Sequence, residues 1–254
     1  MRILITNDDG VEAQGLHVLQ KIASELSDDV WVVAPETDQS GSAHSLTLHE
    51  PLRLRKLSDR VFAVRGTPTD CVIMGVRHIL KDEPPALVLS GVNRGANLAD
   101  DVTYSGTIAG AIEGAMLGIP SIAMSLAIDW ENPVKIHWET PMTLGRDLIR
   151  KLMKAGWPRD VLINVNFPDR EPSQVQGIQI TEQGRRDPDY LRIEDRIDTR
   201  GNPYYWFAFR SQSLNPGEGT DLCAVRAGAI TVTPLCLNLT HVETCRKLKG
   251  LLDL

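Results

Sequence analysis

The sequence predicts an α/β fold: a mostly parallel sheet with helices on both faces. Three observations predict it. Short apolar runs alternate along the chain with segments of helical period. Those runs are continuously apolar rather than polar at every second residue, as strands covered on both faces are. A polar, glycine-containing cluster follows several of them, at the strand ends where ligands sit in such folds.

"RILIT" reads as a first strand, and Leu16, Leu19, Ile22, Ala23 and Leu26 mark one apolar helix face after it. "VWVVAP" is a second strand, closed by Pro35. "LRLRK" and "RVFAV" are strands of a short excursion. Thr67-Pro68 opens a helix that runs to about Leu80, with proline at a first-turn position. "ALVLSGV" is the next buried strand. Thr107 to Leu117 is helical with Ile108, Ile112 and Ala115 on one stripe, and "SIAMSL" follows as a strand. Leu144 to Met153 forms another helix, and "VLINVNF" another strand. The chain then becomes rich in charge and turn residues, with a hairpin around Arg200-Gly201-Asn202. "AITVTPL" is a final strand, before a C-terminal helix whose "RKLKG" run reads as a solvated end favoured by the dipole. There is no internal repeat and no low-complexity linker.

Composition narrows the function. At 254 residues with 42% hydrophobic content, the chain can bury a real core, and 5% aromatics makes that core mainly aliphatic. A formal net charge of −6 argues against gripping nucleic-acid backbones or anionic membranes. Cys71, Cys223, Cys236 and Cys245 have no paired spacing and read as buried thiols in a reducing compartment. Asn7, Asp8 and Asp9 interrupt any apolar leader at once, and Glu113 and Pro120 break the most apolar later stretch. These features predict a soluble cytoplasmic protein with no membrane partner.

The chemistry-bearing clusters follow strand ends. In "ILITNDDG", Asp8 and Asp9 are either good turn chemistry or half of a hard-cation site. "PETDQSGSAHSLTL" is either ordinary surface loop or a source of a hydroxyl ligand. "GVNRGANLADDVTYSGT" holds Asn93, Asn97 and a second acidic pair, Asp100 and Asp101. Asparagine carbonyls ligate hard cations without adding charge, and glycine-rich loops also use Asn for left-handed turns. Ser105 or Thr107 reads as a helix cap, and the same geometry presents N–H groups and hydroxyls to a phosphate. Four such clusters at one sheet edge favour a metal-plus-phosphate site. No Walker-type loop and no dinucleotide fingerprint is present. Asp8 and Asp9 are adjacent rather than one residue apart, which argues against a covalent aspartyl intermediate of the haloacid-dehalogenase type. A receiver domain would need an aspartate where this chain has Asn93.

Together, "ILITNDDG", "VVAPETDQSGSAHSLTL", "GTPTDCV", "SGVNRGANLADDVTYSGTIAGAIEG", "INVNFP" and "GTDLCAVRAGAITVTPL" resemble the SurE family of stationary-phase survival nucleotidases. The resemblance runs over nearly the whole chain and is least around residues 185 to 210. It implies a Rossmann-like core, an extended C-terminal arm, and a homodimer or homotetramer. It implies a 5′-nucleotidase that removes phosphate from nucleoside 5′-monophosphates, with 3′-monophosphates and short polyphosphate as further substrates, and no nucleic-acid polymer as partner. Carried onto this chain, the metal ligands are Asp8, Asp9, Ser40 and Asn93, and the phosphate is held by Asn97, Ser105, Gly106 and Thr107. One divalent cation per subunit, Mg²⁺ or Mn²⁺, suits that oxygen-only set better than zinc. Asp8 or Asp9 also orients the attacking water. His44 reads as a structural hydrogen-bond partner rather than a leaving-group acid. Gln14 and Ala43 depart from the residues usual in the family and imply changes in loop shape only. The division expected is a catalytic core over 1–182, a hairpin arm for oligomerisation over 183–216, and a final strand and helix over 217–254. The reading from another class is a non-catalytic, metal-dependent nucleotide sensor, which a phosphate-release assay separates.

Overall fold

Strand and helix alternate through the first two thirds of the chain. The computed structural model describes residues 1–128, 135–209 and 216–252, so the expected arm and C-terminal segments each lie partly outside the described residues. The elements are β1 (Ile3–Thr6), α1 (Gln14–Ser24), β2 (Val30–Pro35), β3 (Arg53–Ser58), β4 (Val61–Arg65) and α2 (Pro68–Met74). There follow β5 (Leu87–Arg94), α3 (Gly106–Met116), β6 (Ser121–Ala127), α4 (Glu139–Ala155), β7 (Val161–Pro168) and β8 (Ile178–Ile180). The chain continues with β9 (Leu191–Ile197), β10 (Pro203–Phe209), α5 (Asp221–Arg226), β11 (Ile230–Cys236) and α6 (Val242–Leu252). Nine strands form one sheet in the order β3-β4-β2-β1-β5-β6-β7-β11-β8, and β9 and β10 form a separate two-stranded sheet. The central pairs are parallel, while β3 lies antiparallel to β4 and β11 antiparallel to β7. This is the expected α/β fold with a mostly parallel sheet.

Side-chain alternation along the strands divides the core in two. Ile3 and Ile5 pack with Leu16, Leu19 and Ile22 of α1 and Leu148 and Ile149 of α4. Leu4, between them, faces the other way, onto Cys71, Val72 and Val76. On that second face α3 lays Ile108, Ala111 and Ala115 against Ala123 of β6 and Leu162 of β7. Glycine permits the close approach there: a Cβ on Gly110 would lie 2.8 Å from Ser90 Oγ and 2.9 Å from the Thr6 methyl. Thr6 therefore shares the α3 face with Leu4, and so does the next residue but one, Asp8.

Several boundaries differ from expectation for local reasons. The helix opened by Pro68 has a capping box, Thr67 accepting from Asp70 N while Asp70 accepts from Thr67 N. It does not continue as α-helix to Leu80; at Gly75–Ile79 it widens into a π-helical turn, closed by Leu80 N donating to Gly75 O. α4 starts earlier than its apolar stripe suggests, because Thr140 and Pro141 in its first turn are buried too. The three-residue β8 and six-residue α5 leave no periodic signal. Of the four cysteines expected to be buried, only Cys71 is; Cys223 is half-buried, and Cys236 and Cys245 are exposed on the late strand and helix. The hairpin turn falls where expected, with Asp198 accepting from Arg200 N and Asn202 N, both at 2.8 Å, and Gly201 at φ +84°. No helix of the described residues is long and apolar enough to cross a membrane.

Candidate active site

The strand order makes the crevice. β1 lies between β2 and β5, so successive connections leave it in opposite directions, and the carboxyl ends of β1 and β5 border a topological switch point. Asp8 and Asp9 leave β1 there, and Asn93 is the penultimate residue of β5, after a bulge that shifts its register against β6.

Asp8 is buried, 4% exposed, and lies against the start of α3. A Cβ on Gly106 would come within 2.7 Å of the Asp8 Cβ. Thr107 turns both its hydroxyl and its backbone N–H to the Asp8 carboxylate. Burial nevertheless pushes the Asp8 carboxyl up to about 6, with the Thr107 bond opposing and the Asp9 charge adding to the rise. Asp9 is half-buried, and its Oδ2 accepts from Arg94 N at 3.2 Å. Its carboxyl is also raised, chiefly by burial, with the Arg94 N–H bond opposing and Asp38 nearby adding to it.

The loop after β2 is drawn to the same place. Gln39 N donates to Asp8 O at 2.8 Å, and Ala43 N to Tyr104 O at 3.1 Å. Gly10, at φ +101°, lets the acidic turn pass close to Thr37 and Asp38. Ser40 is exposed in this loop; its N and Oγ both donate to Asp38 Oδ1, at 2.7 and 2.6 Å. Asn93 Nδ2 donates to Gly95 O at 2.9 Å, which turns its Oδ1 the other way. Ser105 is the α3 cap, its Oγ accepting from Ile108 N at 3.0 Å, so its own proton is left to donate. Thr107, the other residue considered for the cap, holds Asp8 instead.

Asn97 is buried and tied elsewhere, to side chains of β6 and β7, with no bond to Asp8 or Ser105. His44 Nε2 meets Glu113 Oε2 of α3 at 3.0 Å, the structural role expected for it. The second acidic pair leads away from the crevice. Asp100 accepts from Arg186 N at 2.7 Å, and Asp101 forms an ion pair with the Arg186 guanidinium, which stacks 4.4 Å over Tyr190. Ala43 has φ +51°, left-handed backbone where glycine is unstrained, so this departure carries local strain as well as shape.

Sequence reasoning missed Asp38, which stands between Ser40 and Asp9. It also missed Ser125, Asn164 and Asn166, fully buried polar residues in otherwise apolar strands. Their signal was available: a polar side chain inside "SIAMSL" or "VLINVNF" needs a partner. Asp221 was missed as well; it is buried and accepts from Ala99 N, Gly184 N and Leu222 N, tying the segments at Ala99 and Gly184 to the start of α5.

Two adjacent carboxylates, an asparagine, hydroxyls and a helix start at a switch point place this chain among the α/β proteins with a polar crevice at the carboxyl ends of the sheet. The chain belongs to the SurE family: the family model described as "Survival protein SurE" matches residues 3–189. It is 58% identical over 252 residues to the 5′-nucleotidase SurE of Parvibaculum lavamentivorans, covering 99% of this chain and 91% of that one. It is 60% identical to the 5′-nucleotidase SurE of Azorhizobium caulinodans, over 94% of both chains. The crystal structure of the SurE protein from Aquifex aeolicus superposes with a TM-score of 0.86 at 42% identity, covering 99% of each chain.

Proposed function

We propose that this chain is a metal-dependent 5′-nucleotidase, hydrolysing the phosphomonoester of nucleoside 5′-monophosphates in the β1–β5 crevice. The observation that carries the reading is the Asp8 carboxylate, buried against the first turn of α3, where Thr107 bonds it. A carboxylate so placed, with a second one beside it, suits a cation. The relatives' names support the nucleotidase activity.

The donor set fits a hard divalent ion. Among the described residues, no three His, Cys, Asp or Glu side chains gather to hold a metal, so the site depends on hydroxyl and amide oxygens as well. Asp8, Asp9, Asn93 through Oδ1, and Ser40 would hold one Mg²⁺ or Mn²⁺ per subunit. When bound, the cation supplies charge neutralisation at the phosphoryl oxygens and acidifies water in the site. The chain's own groups do the rest. Gly106 N–H, the free proton of Ser105 and the Asn97 amide hold the phosphate, while Thr107 fixes Asp8 beside it. Asp9, more open to solvent than Asp8, orients the attacking water and accepts its proton. The water oxygen bonds to phosphorus, the ester P–O bond breaks, and the departing nucleoside oxygen takes up a proton. A site that grips only a terminal phosphate serves 3′-monophosphates and the ends of short polyphosphate by the same contacts. A reducing, cytoplasmic setting suits the four free thiols.

We also assign the segment 183–216 to oligomerisation, into a homodimer or homotetramer, beside a core over 1–182 and a terminal strand and helix over 217–254. Its hairpin presents Leu191, Ile193, Tyr205, Phe207 and Phe209 on one face, all exposed.

Phosphate release from nucleoside monophosphates, with Mn²⁺ or Mg²⁺ and with EDTA, tests the function. Asp8→Asn should abolish release and leave the fold intact. Nucleotide binding without any release by the wild type would favour the sensor instead, and an identical response of Asp8→Asn and wild type to EDTA and Mn²⁺ would show the metal site misplaced.

A further inference from the structure

Four hydrogen bonds converge on Asn97 from the interior of the sheet. Its N–H donates to Asn166 Oδ1 at 2.8 Å. Its carbonyl accepts from Asn164 Nδ2 at 2.8 Å and from Asn166 Nδ2 at 3.0 Å. Its side-chain Nδ2 donates to Ser125 Oγ at 2.8 Å. Ser125, Asn164 and Asn166 are each 0% exposed. Ser125 is the register partner of Asn166, and Ala123 of Asn164.

These side chains face the catalytic side of the sheet. Ala123 and Leu162 pack on α3, and residues two apart on a strand share a face. Ser125, Asn164 and Asn166 therefore lie on the α3 face near the carboxyl ends of β6 and β7, the same face and end as Asp8. Burying two amides and a hydroxyl there is costly unless they are bonded, and bonding them to one residue makes that residue rigid. Backbone bonds alone would suffice to close the loop after β5. The fourth bond does something else: it fixes the Asn97 amide plane, leaving its second N–H and its Oδ1 in a set direction.

We propose that Ser125, Asn164 and Asn166 are positioning residues for phosphate recognition, acting through Asn97. The inference rests on the reading of Asn97 as a phosphate-holding group. Preorganised donors bind an anion without reorganising, so loosening the clamp weakens phosphate binding although no phosphate contact is removed.

The test is a double-mutant cycle on the full chain, with nucleoside 5′-monophosphate as substrate and inorganic phosphate as competing inhibitor. Ser125→Ala and Asn166→Ala should each weaken phosphate inhibition at least five-fold and raise KM in parallel. In an Asn97→Ala background each should add less than two-fold. Melting temperature checks the fold, and Ser125→Ala, which removes one oxygen atom, carries the test where Asn166→Ala fails to fold. Additive losses in the cycle, or unchanged phosphate inhibition when Asn97→Ala does weaken it, overturn the inference alone. Unchanged inhibition in Asn97→Ala overturns the assignment of Asn97 itself, and the clamp's role with it.

Discussion

Asp8 carries a charge that its protein surroundings do little to neutralise, and this has a measurable sign. Its carboxyl is raised from 3.8 to about 6, mainly by burial. Between those values the metal-free folded state binds more protons than the unfolded chain, so stability falls as pH rises through the window. The loss is complete at pH 7 and is of order 2 to 3 kcal/mol at 1.36 kcal/mol per pH unit. Asp8→Asn removes the window. Without metal it should be the more stable protein at pH 7.5 and lose that advantage near pH 4, as urea unfolding in EDTA would reveal. A wild type that gains stability from pH 4 to 6 relative to the variant would contradict the sign. At Ala43, glycine should relieve the left-handed strain; the expected gain from Ala43→Gly is at most about 1 kcal/mol, because glycine also costs chain entropy.

At the level of the element, α3 separates two jobs that its sequence "YSGT" runs together. Ser105 caps the helix, and Thr107 holds Asp8. Ser105→Ala should therefore lower stability by about 1 kcal/mol. Thr107→Val keeps the cap and the backbone N–H bond but removes the hydroxyl bond to Asp8, and turnover should fall more than ten-fold, over ~1.4 kcal/mol of transition-state stabilisation. Calorimetry beside a phosphate-release assay checks both variants; unchanged turnover in Thr107→Val would refute the role of its hydroxyl bond to Asp8. Elements with long apolar runs, such as β5 and β7, were legible because burial on both faces demands such runs. β8 and α5 were not, being too short to show a period. The turn Ala99–Thr103 was hidden too, because what holds it in place is Asp221, far along the chain.

At the scale of the whole molecule, the late hairpin leaves an apolar surface uncovered among the described residues. In the β9–β10 hairpin, Ile193, Tyr205, Trp206 and Phe207 are each more than half exposed, and β9 and β10 pair only with each other among the described residues. A lone two-stranded ribbon is marginal in water. The Arg186–Asp101 ion pair and the Arg186–Tyr190 stack tie its base to the loop between Asn97 and Ser105. Replacing Tyr204 to Phe209 by polar residues should break an oligomer to monomers in sedimentation equilibrium. An active monomeric wild type, or an assembly unchanged by that replacement, would refute the arm's assignment.

Period, apolar runs and oxygen-donor side chains after strands are local properties of the chain, so the fold class and the candidate site positions could be read from them. Asp8, Asp9 and Asn93 were legible in this way. Tertiary structure decided that β1 and β5 are neighbours, which brings Asp9 to Arg94 N, 85 residues away in sequence. It decided that Thr107 bonds Asp8 across 99 residues, that Asp100 and Asp101 turn to Arg186, and that Asn97 hangs from β6 and β7. Those pairings are fixed by strand order and helix packing, which depend on contacts between distant segments, so neither segment alone tells which partner its polar side chains find.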